Sequence, residues 1–142
     1  DNMATGSTTS RLIIRLEPGD DLPKCIELAW HDHGIHNGEV TGLGSVESPT
    51  LAHYRKDTKK FTERQFNGIF ELTSLIGNVA VVDNQPLAHC HVTISDDKMS
   101  VFGGHLVSSL CSATIELIIR PLPTAYTKGF DSEIGLKLWQ ID

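Results

Sequence analysis

The sequence predicts an α+β domain in which a mostly antiparallel β-sheet packs against one main helix. Only one stretch, from about Asp21 to His33, repeats apolar residues at helical spacing, whereas many other segments alternate apolar and polar residues as strands do. The chain has 142 residues, 39% of them hydrophobic, which suits one domain with an ordinary core. We therefore expect a single domain.

The first predicted strand is RLIIRL, which opens the folded part of the chain. Leu12, Ile14 and Leu16 point to one side of it, which is the two-residue period of a half-buried strand. The preceding residues, DNMATGSTTS, show no such period and no charged and apolar regions of a signal peptide. The sequence thus predicts a flexible tail over residues 1–10 and a domain over residues 11–142.

The predicted helix has recognisable signals at both ends. Asp20 or Asp21 can cap its first turn, in which Pro23 is tolerated. Gly34 suits the left-handed conformation that commonly ends a helix. These signals bound a helix of about three turns.

Strands dominate the remainder of the chain. The predicted strands are GEVTGLGSVES, TLAHYR, KFTERQF, IFELTSLIGNVAV, LAHCHVTIS, SVFGGHLVSS and CSATIELIIR. TLAHYR and KFTERQF suggest a hairpin around KDTK, and IFELTSLIGNVAV is either one long strand or two short ones. The last twenty residues look irregular, and Trp139 is expected to anchor them.

Composition limits the classes of function. The net charge of −6 and the pI near 5.6 argue against a domain that binds nucleic acid through its phosphate backbone. No apolar run is long enough for a membrane span. Cys25, Cys90 and Cys111 are odd in number and widely spaced, which indicates reduced thiols in a cytoplasmic protein. No nucleophile elbow, phosphate-binding glycine loop or carboxylate-pair signature is present.

Three of the seven histidines fall within residues 87–109. In LAHCHVTIS the apolar face belongs to Ala88, Cys90, Val92 and Ile94, so His89 and His91 point away from the core.

The next predicted strand supplies the third histidine. A turn centred on Lys98 places Ile94 opposite Phe102, Val92 opposite Gly104 and Cys90 opposite Leu106. This register sets His91 opposite His105, with His89 on the same face. Opposed Cβ atoms lie about 4.5–5.5 Å apart, so three imidazoles can meet there.

Two interpretations of the three histidines stay open. Three converging imidazoles can hold a divalent ion such as zinc, with a coordination position left for water or substrate. Gly103 and Gly104 leave room for a ligand or another backbone to approach. Alternatively, the three are neutral neighbours on a polar sheet face.

Several motifs in order resemble the PPC domain (plants-and-prokaryotes conserved domain). They are RLEPGDDL, GIHNGEVTGLGSV, GIFELTSLIGNVAV, LAHCHVTISDD and FGGHLV, and GFDSEIGL is similar to the tail of prokaryotic members. The resemblance covers about residues 11–120 and is closest to the stand-alone prokaryotic type.

The resemblance implies a compact α+β domain that assembles as a homotrimer. No reaction is established for stand-alone members of this family. The resemblance also implies that His89, His91 and His105 can carry a metal, most simply zinc, and it associates the segment 68–72 with partner contacts. Family members are often labelled DNA-binding by analogy, but this sequence has no Arg-Gly-Arg-Pro hook and is acidic.

We therefore expect a cytoplasmic, trimeric binding or assembly module with a three-histidine metal site. A second interpretation is a metal-dependent enzyme of unknown substrate, for which Glu71 or His53 could act as acid or base if the fold brings either close. The third is a DNA-associated regulator, which the charge disfavours. No catalytic residue is identified, and no membrane association is expected.

Overall fold

The computed structural model describes residues 4–7, 11–123 and 126–141. It confirms the α+β prediction: in these residues one helix accompanies a large antiparallel sheet. The elements are β1 Ala4–Ser7, β2 Leu12–Leu16, α1 Leu22–Asp32, β3 Gly38–Arg55, β4 Lys60–Gln65, β5 Ile69–Val82, β6 Gln85–Ser95, β7 Val101–Pro121, β8 Lys128–Asp131 and β9 Leu136–Trp139.

The sheet closes on itself through β7. Along one edge β7 pairs with β3, and along the other it pairs first with β6 and then with β2. Because β5 pairs with both β3 and β6, the strands β3, β5, β6 and β7 form a closed ring. Closure gives the backbone of these strands partners on both sides, which removes exposed edges. The hairpin of β3 and β4 extends beyond the ring.

The core lies between α1 and the inner face of this sheet. Leu22, Ile26, Ala29 and Trp30 form the buried side of α1, as the helical spacing predicts. They pack in one cluster with alternate residues of the strands, among them Leu12, Ile14, Leu16, Val40, Leu72, Leu75, Val92, Ile94, Ile115, Leu117 and Ile119. Burial of this apolar surface is the main stabilising contribution to the fold.

The ends of α1 follow the local chemistry of the sequence. The Asp21 side chain accepts a hydrogen bond of 3.0 Å from the backbone N–H of Lys24, which satisfies one donor of the first turn. At the other end His33 is the cap, and its N–H donates to the carbonyl of Ala29. Gly34 has a φ of +63°, so the predicted left-handed residue lies just after the helix.

Two long strands replace four predicted ones. GEVTGLGSVES and TLAHYR are parts of β3, and SVFGGHLVSS and CSATIELIIR are parts of β7. Irregularities in the β3–β7 register lie between Gly44 and Val46 and near Thr50. Such irregularities let a strand bend and continue with a new neighbour, which a linear pattern of hydrophobicity does not reveal.

The prediction of an irregular C-terminal segment is wrong for residues 128–139. Here β8 and β9 pair as an antiparallel hairpin. The carboxylate of Asp131 accepts from the N–H groups of Glu133 and Ile134, and Gly135 adopts a φ of +82°. These side-chain contacts build the turn, while four-residue strands are too short to show a clear alternation.

The start of the chain is partly described. Residues 4–7, within the stretch predicted as a flexible tail, pair with β2 as the strand β1. Residues 1–3 and 8–10 lie outside the described residues, so the division into a tail 1–10 and a domain 11–142 stays a prediction. Among the described residues no helix has the length and apolar character needed to cross a membrane.

Replacing Gly77 by Ala tests the close approach of β5 and β6. A methyl group there would overlap the carbonyl oxygen of His89 and lie 2.7 Å from the Cys90 sulfur. We expect the free energy of unfolding to fall by about 1–3 kcal/mol, as measured by urea denaturation.

Gly103→Ala is the matched control, because its methyl group would meet nothing nearer than 3.2 Å. We expect it to lower the free energy of unfolding by less than about 1 kcal/mol. Equal losses in the two variants would contradict this account of the β5–β6 contact.

Candidate metal centre

The hairpin of β6 and β7 has the register that the hydrophobic pattern predicts. Ile94 lies opposite Phe102, Val92 opposite Gly104, and His91 opposite His105. The predicted pairing of Cys90 with Leu106 is not part of the ladder, which ends at His91 and His105. On its other edge β7 pairs with β3, where Ala52 lies opposite His105 and Leu51 opposite Leu106.

His89, His91 and His105 meet on the outer face of this hairpin. Their ring centroids are 5.1 Å apart for His89 and His91, 5.3 Å for His89 and His105, and 5.9 Å for His91 and His105. One nitrogen from each ring lies within 4.8 Å of those of the other two. Among the described residues this is the one group of three or more His, Cys, Asp or Glu side chains close enough to share a metal ion.

The donor set fits a divalent transition metal. Zinc–nitrogen bonds of about 2.0–2.1 Å in a tetrahedral site place nitrogens about 3.3 Å apart, so rotation of exposed imidazoles would bring these nitrogens into range. Imidazole suits zinc, copper, iron and nickel, whereas magnesium and calcium prefer oxygen. Three protein ligands also leave one tetrahedral position open.

Burial and nearby charges favour the neutral form of two of the imidazoles. Burial lowers the pKa of His89 to about 4, with further lowering by the charges of Lys128, His105 and His91. Burial also lowers the pKa of His105, and the nearby His91 adds to this effect. A neutral imidazole retains the nitrogen lone pair that a metal requires, so these rings can act as ligands without first losing a proton.

Cys90 lies between two of the histidines but is not part of the cluster. Its side chain is buried on the opposite, core face of β6. Burial raises the pKa of Cys90 to about 12, and it also raises those of Cys25 and Cys111 to about 11. All three cysteines are free thiols, and all three contact the core, as predicted from composition.

A pocket of about 690 Å³ opens beside the three histidines. Residues of β3, β4, β6 and β7 line one side, and the hairpin of β8 and β9 lines the other. The ring of Phe61 contacts that of His105, with centroids 5.0 Å apart. Most of the remaining wall is apolar, from residues such as Leu87, Leu136 and Leu138.

Sequence analysis missed two charged residues of this wall, Lys128 and Lys137, and Lys128 is the buried one. Its side chain is 8% exposed, donates a 2.6 Å hydrogen bond to the Asn78 side-chain oxygen, and places Nζ 4.6 Å from the ring centroid of Trp139. Burial lowers the pKa of Lys128, while Cys90 raises it. No local pattern marks this residue, because it comes from the segment predicted to be irregular. Trp139 lies opposite Lys128 within the same hairpin, and its role as the anchor of the segment stays a prediction.

Of the two candidate acid or base residues, the fold places His53 at the pocket and Glu71 away from it. His53 lines the same pocket, so it lies near the three histidines. Glu71 pairs with Ser45 and Ser95 at the far end of β5 and is not among the residues that line the pocket. Gly104 is approached by the Ala52 carbonyl, 3.0 Å from where a β-carbon would stand, so another backbone does come close to this glycine.

Solved structures with the same fold come from bacteria and archaea. A protein from Archaeoglobus fulgidus, described as metal-containing, matches with a TM-score of 0.85 at 30% identity, covering 99% of this chain and 97% of its own. A plant- and prokaryote-conserved (PPC) protein from Pyrococcus horikoshii matches with a TM-score of 0.86 at 26% identity, over 98% and 94% of the two chains.

A protein from Bacteroides thetaiotaomicron, provisionally named DNA-binding, matches with a TM-score of 0.94 at 20% identity, over 99% and 98% of the two chains. At this identity the likeness shows the fold alone. A search of curated protein sequences found no match. The sequence matches the Plants and Prokaryotes Conserved (PCC) domain over residues 3–123, and this match, which covers most of the chain, shows that the protein belongs to that family.

Proposed function

We propose that this protein is a homotrimeric binding or assembly module that holds a divalent metal ion, most simply zinc, on His89, His91 and His105. The observation that carries the proposal is the approach of three imidazole nitrogens to within 4.8 Å of one another. The lowered pKa values of His89 and His105 are compatible with it, because they favour the neutral rings that a metal ion requires. The three free thiols are consistent with the proposed cytoplasmic location.

The Archaeoglobus fulgidus protein adds independent support, since it is described as metal-containing and is 30% identical over nearly the whole chain. A bound zinc ion would supply a positively charged, Lewis-acidic centre. The three histidines would hold the ion on the outer face of the β6–β7 hairpin, where Phe61 packs on the ring of His105.

A second candidate function is a metal-dependent enzyme of unknown substrate. The pocket beside the histidines favours it, because its volume falls in the range of small-molecule sites. His53 lines that pocket and is available as an acid or base, whereas Glu71 is not among the lining residues. We assign no catalytic residue.

DNA binding has weaker support. The proteins from Bacteroides thetaiotaomicron and Ralstonia eutropha that are provisionally named DNA-binding share only 20% and 22% identity with this chain. The net charge of −6 opposes approach to a phosphate backbone. We therefore place a DNA-associated regulator below the other two functions.

Replacing His91 by Ala tests the metal site. Untagged wild-type protein should bind about one zinc ion per chain, as measured by elemental analysis and calorimetric titration. The variant should lose at least about 100-fold in affinity, since even residues that only orient a ligand contribute 10–100-fold.

His53→Ala is the matched control for this loss. His53 lines the same pocket but lies outside the cluster, so we expect its affinity for zinc to change by less than about threefold. Both variants should retain the wild-type melting temperature in metal-free protein, because the ligands lie off the core face. Zinc binding that survives His91→Ala would contradict the site.

The pH dependence of zinc binding is a second test. Protons compete with zinc for the imidazole nitrogens, so affinity should fall as the pH is lowered. Because the pKa values of His89 and His105 lie below the ordinary 6.5, competition at these two rings should begin at a lower pH than for an unperturbed histidine. Titrations between pH 5 and pH 8 would show this, and a steep loss of affinity already between pH 8 and pH 7 would contradict it.

The proposed trimer rests on exposed apolar side chains of β2, β7 and β3, which share their face with Arg15 and Glu116. Ile13 and Ile118 lie opposite each other in these strands and are 48% and 45% exposed. Leu43 of β3, on the other side of β7, is also exposed. An outward-facing apolar patch of this kind is typical of an interface between chains.

Light scattering tests the trimer directly. The wild-type protein should have about three times the chain mass of 15.6 kDa, and Ile118→Glu should yield monomers because it buries a charge in the interface. The control Ile141→Glu changes another exposed isoleucine near the end of the chain and should leave the mass unchanged. A wild-type monomer, or a trimeric Ile118→Glu variant, would contradict the proposal.

A further inference from the structure

We propose that the pocket beside the three histidines binds a small monocarboxylate with an apolar or aromatic body, and that Lys128 holds the carboxylate. The proposal extends the proposed function by naming a ligand class for the same pocket. It rests on the proposed function in one respect, because the metal ion would supply positive charge in addition to that of Lys128. Lys128 itself is not among the proposed metal ligands.

The charge of the pocket differs from that of the whole chain. The protein carries a net charge of −6, yet none of the described residues that line the pocket is Asp or Glu. Two lysines, Lys128 and Lys137, and four histidines line it instead. The described lining thus has no acidic side chain, although the chain as a whole is acidic. Such a pocket is complementary to an anionic ligand.

Lys128 is the residue suited to anchor this anion. It is buried, the Asn78 oxygen accepts a hydrogen bond from its ammonium, and Nζ lies over the ring of Trp139. The bond to Asn78 uses one of the three N–H donors of an ammonium group.

The walls indicate the body of the ligand. Phe61, Leu136, Leu138 and Phe130 line the pocket, and Phe130 is 68% exposed, so its ring is accessible to a ligand. A volume of about 690 Å³ exceeds what a carboxylate alone would fill. The apolar surface would be covered by an alkyl chain or an aromatic ring.

The single buried ammonium favours a carboxylate over a phosphate. Phosphate dianions are commonly held by bidentate arginines or by rows of backbone N–H groups. No arginine is found among the described lining residues. The one buried ammonium matches one negative charge, and a metal ion would add attraction for the same anion.

Calorimetric titration with phenylacetate tests the proposal, using untagged full-length protein that is either zinc-loaded or treated with a chelator. We expect saturable binding, tighter in the zinc-loaded protein. Acetate lacks the aromatic body and 2-phenylethanol lacks the charge, so each should bind at least about tenfold more weakly.

Paired lysine variants locate the anchor. Lys128→Met keeps most of the apolar stem and removes the charge, and it should weaken phenylacetate binding about tenfold or more. Lys137→Met makes the same change at an exposed position of the same wall and should alter the affinity by less than about twofold. Thermal melting checks that Lys128→Met is folded.

Phe130→Ala, at an exposed position, is an independent variant that should weaken phenylacetate binding but not acetate binding.

The outcomes separate this proposal from the metal site. Zinc-loaded protein that binds no phenylacetate, or binds it equally well after Lys128→Met, overturns the ligand proposal and leaves the metal site standing. Protein that takes up no zinc overturns the metal site. Lys128-dependent binding of phenylacetate to that protein would still support the anion pocket, and its absence would overturn both.

Discussion

The pairing of β6 with β7 is the constraint on which the candidate site depends. Val92 and Ile94 are buried on one face of this hairpin, and a shift of one residue would expose them. The same register fixes His91 opposite His105 and leaves His89 on their side. Burial on the inner face thus determines which polar groups meet on the outer face. The chemistry of the site is a consequence of core packing, without any dedicated loop to assemble it.

Much of this arrangement follows from local pattern. The alternation of LAHCHVTIS and the apolar residues of the next strand suffice to predict the register, because side chains in a strand have a strict period of two. The caps of α1 were predictable for a similar reason, since Asp21 and Gly34 satisfy requirements of the backbone within a few residues. The resemblance to the PPC domain, carried by five motifs in order, is confirmed by the family match over residues 3–123.

The features that escaped prediction depend on contacts between distant parts of the chain. The continuity of β7 arises because it exchanges β6 for β2 as its neighbour, and hydrophobicity along one strand carries no information about that exchange. Lys128 reaches Asn78 across 50 positions of sequence, and the hairpin that carries it is defined by a turn of side-chain hydrogen bonds. A lysine in such a segment looks like any surface lysine until the fold places it.

The way the β8–β9 hairpin is attached has an evolutionary consequence. In the described part of the chain, its side-chain hydrogen bonds to the rest of the protein join the Tyr54 hydroxyl to the Ile134 carbonyl at 2.5 Å, Lys59 to the Ser132 carbonyl at 2.7 Å and Lys128 to Asn78 at 2.6 Å, and just before the hairpin Thr127 forms a bridge with Val81. The central cluster of buried residues contains no side chain from it. Its sequence can therefore drift with little effect on folding, while the histidines stay fixed by the core. Proteins with the same sheet and helix can therefore acquire a different ligand specificity through substitutions in the β8–β9 hairpin alone.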